Sequence, residues 1–155
     1  MSQRSVNGGR QRLLSPIFID ASAWLASVNG RDQHYATAHV LLAACFAQRV
    51  ELVTTNWTAY EALSILKSRV GPKSAEDLWA LISNNRSIAL IDVTADIERR
   101  ARELFFGYRD KTWGMVDCAS LVVMQDVGCR QAFGFDHHFI EASRQRGFEL
   151  IPSDG

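Results

Sequence analysis

Four acidic residues stand where an ordinary structural role explains them poorly. Asp20 directly follows the apolar run Pro16-Ile17-Phe18-Ile19, and Asp136 directly follows Gln131-Ala132-Phe133-Gly134-Phe135. Glu61 sits in Tyr60-Glu61-Ala62-Leu63, and Asp117 in Met115-Val116-Asp117-Cys118-Ala119, with apolar or small neighbours on both sides. Charged side chains are rarely buried unless paired or bound to metal. No obvious basic partner stands beside any of the four. A single aspartate after a strand is often a helix N-cap, and an acid at a helix start often serves the helix dipole. Two strand ends and two apolar helix starts are more than those roles comfortably explain. Carboxylates brought close together repel unless a cation intervenes. Oxygen-only ligands suit Mg²⁺, with Mn²⁺ able to substitute, rather than zinc. A carboxylate-held Mg²⁺ points to phosphate chemistry.

The elements around these residues predict how they are held. Short apolar runs at 16–19, 51–54, 87–93, 131–135 and 148–151 read as strands buried on both faces. Helical spacing predicts helices over 21–28, 34–48, 58–70, 74–82, 94–106, 116–127 and 139–146. Gly71-Pro72, Asn84-Asn85, Gly128 and Gly147 punctuate them. Strands alternating with helices imply crossover units and a parallel α/β sheet covered on both faces. Open sheets of this kind bind ligands outside the carboxyl ends of their strands, where Asp20 and Asp136 would project.

Composition narrows the function classes. The chain has 155 residues, 47% hydrophobic and 22% charged, with 17 basic against 17 acidic groups. That excludes disorder and collagen-like repeats, and gives no strong field for nucleic acid or membrane. Residues 1–15 carry Arg4, Arg10 and Arg12 and no acid; they read as a mobile tail, with one domain over 16–155. No apolar run reaches the length of a membrane span or of a signal peptide. Cys45, Cys118 and Cys129 form no C-x-x-C pair and read as buried free thiols of a cytoplasmic protein. No Walker-type loop is present, and Ser22 stands where a haloacid-dehalogenase-like phosphatase needs a second aspartate.

At these residues the chain resembles the PIN domain family, specifically the VapC-type toxins of bacterial toxin–antitoxin pairs. The matching stretches are Ile17-Phe18-Ile19-Asp20-Ala21-Ser22, Leu52-Val53-Thr54-Thr55 followed by Tyr60-Glu61-Ala62-Leu63, the run from Asp110 to Ser120, and the run from Phe133 to Phe139. Each is weak alone; four in order over residues 17–151 are fairly specific. The resemblance implies a three-layer α/β/α fold with a short-stranded, mostly parallel sheet. It implies a Mg²⁺-dependent endoribonuclease that cleaves RNA with metal-activated water, a cognate antitoxin lying over the acidic site, and a homodimer. It carries Asp20, Glu61, Asp117 and Asp136 over as the acidic cluster, with Asp20 and Asp117 at the most constant positions. The family usually has Ser and Thr where this chain has Gly114 and Val116. That departure keeps a second reading open: a PIN-like RNA- or partner-binding module with weak or no catalysis.

Other features have bland readings. Trp79 is expected in the core, on the apolar stripe of its helix, while Trp113 is the better candidate for stacking on a base. Arg99, Arg100, Arg102, Arg109 and Lys111 alternate with acids, as a solvated helix face does, or form an edge that tracks phosphates. His137 and His138 are expected to cap and pack, with an approach to the metal or substrate as the alternative. Tyr60, Leu63 and Trp79 exceed one core stripe and predict the dimer contact.

Overall fold

The computed structural model describes residues 11–153. Five strands form one wholly parallel sheet in the order β3-β2-β1-β4-β5. They are β1 (Ile17–Ile19), β2 (Leu52–Thr55), β3 (Ile88–Ile91), β4 (Gln131–Phe133) and β5 (Glu149–Ile151). Seven helices cover the sheet: α1 (Ala21–Val28), α2 (Tyr35–Ala47), α3 (Asn56–Arg69), α4 (Pro72–Asn84), α5 (Ala95–Gly107), α6 (Met115–Val127) and α7 (His137–Arg146).

Alternation along β1 splits the core into two layers, as the pleat requires. Ile17 and Ile19 join Leu52, Trp24, Leu66 and Leu78 beneath α1–α4. Phe18 joins Val53, Ala132, Val122 and Phe139 beneath α5–α7. The expected three-layer α/β/α arrangement is therefore present, and β1 is its central strand.

Several boundaries move for identifiable reasons. α3 begins at Asn56 rather than 58, because the Thr55 side chain accepts the Thr58 N–H and caps the helix. Pro72 opens α4 rather than merely breaking α3, its fixed φ suiting the first helical position. Of the predicted tail, residues 1–10 lie outside the described residues. Residues 11–15 belong to the fold instead: the Leu14 N–H donates to Gln131 Oε1 at 2.7 Å, Gln131 Nε2 donates to the Arg12 carbonyl at 2.8 Å, and Leu13 packs on the core. Those contacts join segments more than a hundred residues apart, so no local pattern announces them.

Two tryptophans also depart from expectation. Trp79 is 37% exposed, because Leu78 and Ile82 take the buried stripe and leave it beside Tyr60 of α3. Trp113 is 3% exposed and packs on Tyr108 with ring centroids 4.7 Å apart, so it is core rather than an open stacking platform. All three thiols are buried and free, and burial pushes each up to about 11. No helix among the described residues is long and apolar enough to cross a membrane.

Candidate active site

The carboxyl ends of β1 and β4 create the site. Ile19 pairs with Phe133, so the next residues, Asp20 and Gly134, lie side by side. The Asp20 N–H donates to the Phe133 carbonyl at 3.1 Å. Asp20 also caps α1: its Oδ1 accepts the Ala23 N–H at 3.0 Å and the Ser22 hydroxyl at 2.7 Å. Ser22 in turn accepts the Phe135 N–H at 2.8 Å, binding the exit of β4 to that of β1. A Cβ on Gly134 would come within 2.6 Å of the Asp20 carboxylate carbon, so only glycine leaves room for the acid.

The other three acids reach the same place from separate helices. Asp136 caps α7, its Oδ1 accepting the His138 N–H at 2.8 Å. Asp117 lies in the first turn of α6, and its Oδ2 accepts the Gly114 N–H at 3.0 Å. Glu61 stands at the solvent-open rim, on the second turn of α3. Asp20, Glu61, Asp117 and Asp136 all line one small cleft of about 30 Å³, room for roughly two water-sized spheres. Asp20, Asp117 and Asp136 each have one oxygen engaged in these bonds, leaving the other free.

The electrostatics are those of crowded acids. Burial, helped by the charges of Asp136 and Asp117 and opposed by its two hydrogen bonds, raises Asp20 to about 7. Burial and the Asp136 charge raise Asp117 against the pull of the Gly114 N–H and the two histidines. Partial desolvation, then Asp117 and Asp136, raise Glu61. Among the described residues no lysine or arginine nitrogen lies within 4.0 Å of any of the four. The nearest cation-capable group is His138, whose Nδ1 is 3.2 Å from Asp136 Oδ1 and 3.7 Å from Asp117 Oδ2.

Hard oxygen donors lacking a basic partner fit a divalent cation such as Mg²⁺ or Mn²⁺. The tightest group of potential ligand atoms is a different one: Asp136, His137 and His138, all within 4.8 Å of one another. That proximity follows from their adjacency at the start of α7. Sequence reasoning missed Thr58, Ser120 and Gly134. Thr58 and Ser120 line the cleft with hydroxyls 3.3 Å apart. Both look like ordinary helix residues in the sequence. Gly134, the glycine following a strand run, was the one legible signal. Of the two readings of His138, the structure favours the approach to the site, its Nδ1 lying near Asp136 and Asp117.

The PIN domain family model matches residues 17–145. The chain belongs to the PIN domain family. A 23S rRNA-specific endonuclease, VapC20 of Mycobacterium tuberculosis, is 31% identical over 126 residues, covering 81% of this PIN domain chain and 93% of the relative; it matches equally from two strains. The crystal structure of M. tuberculosis VapC20, described as a sarcin-ricin loop cleaving toxin, superposes with a TM-score of 0.73 at 29% identity. That match covers 81% of this chain and 94% of the solved one.

Proposed function

We propose that this PIN domain protein is a Mg²⁺-dependent endoribonuclease and the toxin of a toxin–antitoxin pair, acting in the cytoplasm, with the described residues 11–153 as its nuclease domain. The observation that carries this reading is the convergence of four carboxylates from four elements on one cleft that no lysine or arginine among the described residues neutralises. Asp20 and Asp117 would hold the cation most directly, and Glu61 and Asp136 would complete its shell. A bound Mg²⁺ would activate water and neutralise charge developing on the phosphate. The chain's own part is positioning. Helix caps fix Asp20 and Asp136, the Gly114 N–H fixes Asp117, and His138 steadies Asp136. With water rather than the ribose 2′-OH as nucleophile, the products carry 5′-phosphate and 3′-hydroxyl ends.

The relatives' names make a ribosomal RNA loop the first substrate to try. Incubating the protein with ribosomes and Mg²⁺ and mapping the new RNA ends is the direct test. Ends bearing 2′,3′-cyclic phosphate would count against the carboxylate site. The second reading, a binding module with little catalysis, rests on Gly114 and Val116; RNA bound but uncut with Mg²⁺ or Mn²⁺ would favour it. In that comparison Gly114 is less damaging than its identity suggests, because its backbone N–H already orients Asp117.

Two partners follow from the same reading: a cognate antitoxin covering the cleft, and a second copy. Tyr60 is 53% exposed, its ring centroid 6.2 Å from that of the exposed Trp79, on adjoining faces of α3 and α4. A symmetric dimer would cover this pair. Sedimentation showing only monomer at tens of micromolar would remove that proposal.

A further inference from the structure

A second groove, of about 460 Å³, lies beside the loop that joins α5 to α6 and is lined by Phe105, Phe106, Tyr108, Arg109, Lys111 and Trp113. Four aromatic rings and two cations face it, with no carboxylate among the lining residues. Phe106 is 69% exposed and meets Phe105 edge-on at 5.1 Å. Lys111 is already paired with Glu141 at 2.9 Å. Arg109 is exposed, and among the described residues no carboxylate lies within 4.0 Å of it. Trp113 lines the groove but is itself buried, and its Nε1 is enclosed, with no hydrogen-bond partner among the described residues.

This groove adjoins the acidic cleft. Gly114 lines it and donates to Asp117. Thr112 Oγ1, on the same loop, is 3.2 Å from His138 Nε2, whose other nitrogen contacts Asp136. An open aromatic face and a guanidinium with no carboxylate within 4.0 Å among the described residues together match one ligand chemistry. A nucleotide offers the π-face of its base to the ring and its phosphate to the arginine. An apolar protein segment would answer the rings and leave Arg109 unmet.

We propose that this groove holds an unpaired nucleotide of the RNA substrate next to the scissile phosphate, its base on Phe106 and its phosphate on Arg109. The inference rests on the endoribonuclease reading above. The test uses Asp117→Asn protein in chelator, so that RNA stays intact, and a fluorescein-labelled mixed-sequence RNA octamer read by anisotropy. Phe106→Ala is expected to weaken binding about fivefold or more, the loss of one stacked base. Phe106→Leu, which keeps apolar bulk without a ring face, should weaken it as well. Arg109→Ala should reduce the salt dependence of log K by about 0.7, one phosphate on a single strand, and Arg109→Lys should restore it. An abasic nucleotide scanned through the octamer should weaken binding at a defined position, and that position effect should vanish in Phe106→Ala. Unchanged affinity and salt slope in Phe106→Ala and Arg109→Ala overturn the proposal, and the groove then belongs to a protein partner. Cleavage by the wild-type chain is measured separately. Active cleavage with silent groove variants rejects the subsite alone. Absent cleavage with Phe106-dependent binding upholds the subsite and rejects the nuclease.

Discussion

Along the outer face of α5, Arg99 bonds Asp96 at 2.9 Å and Glu103 at 2.7 Å, and Arg100 bonds Asp96 at 3.0 Å and reaches Asp126 of α6. Around the cleft, four carboxylates crowd together with no arginine or lysine nitrogen within 4.0 Å among the described residues. The first region is exposed, and water already screens its charges, so pairing there adds little. In the second, Asp20 is buried and Asp117 half-buried, where an unpaired charge is expensive, while Asp136 and Glu61 stay open to water. Charges are thus paired where pairing matters little, while the buried Asp20 and half-buried Asp117 have no lysine or arginine within 4.0 Å among the described residues, which is the arrangement the proposed cation site requires. The same contrast answers the question of the basic run: Arg99, Arg100 and Arg102 are engaged with acids on their own helix or the next, and Arg109 alone stands apart from them.

Substitutions sharpen this contrast, and the largest effect is on cleavage. Asp20→Asn and Asp117→Asn should each lower RNA cleavage by at least about a hundredfold, while Arg100→Ala and Asp126→Asn leave it essentially unchanged. Equal losses in the two regions, measured on one labelled RNA, would erase the distinction.

Next in size is stability without metal. Burial raises Asp20 to about 7, above the ~3.9 of an unfolded aspartate. The folded state therefore holds a proton that the unfolded state has lost between about pH 4 and pH 7. Stability contributed by that proton is present below pH 4 and lost as pH rises through 7. In chelator at pH 8, Asp20→Asn should then be more stable than wild type by on the order of 3–4 kcal/mol, an advantage that fades towards pH 4. Mg²⁺ at a hundred times its dissociation constant should add about 2.7 kcal/mol to wild type and much less to the variant. Denaturant titrations at pH 4 and pH 8, with and without Mg²⁺, check each part. A wild type that is the more stable in chelator at pH 8 would make Asp20 an ordinary structural acid.

Smaller again is the effect of crowding Asp20 from its neighbour. Gly134→Ala should destabilise by about 1–3 kcal/mol, the usual range for an overpacked site. It should also blunt the Mg²⁺ response, because the carboxylate must turn away from the new methyl. An unaltered Mg²⁺-dependent Tm shift would show that Asp20 has more freedom than the packing allows. The smallest change is expected on α5, where Arg100→Ala should barely move Tm at physiological salt.

Much of the site was readable from sequence, because strand ends are marked by runs such as Ile17-Phe18-Ile19 and the acids follow them directly. Glu61 and Asp117 were readable because charge inside an apolar stretch is conspicuous. What escaped was long-range. The docking of residues 11–15 depends on Gln131, and the burial of Trp113 depends on Tyr108 and the layer beneath α5–α7. Trp79 was misjudged because a helix stripe has edges, and which edge is covered depends on what packs there. The hydroxyls of Thr58 and Ser120 gave no signal, since serine and threonine are common in helices for reasons unrelated to a cleft.

The central place of β1 has a further consequence. Its partners on either side are β2 and β4, so the sheet is assembled from two stretches of chain that meet along one strand. Asp20 and Glu61 precede Thr94, and Asp117 and Asp136 follow it. A chain divided at Thr94 would give two fragments, each with half of the acids and neither with the set. RNA cleavage regained on mixing them would then be a reporter of fragment association, and cleavage by either fragment alone would show that half the set is enough.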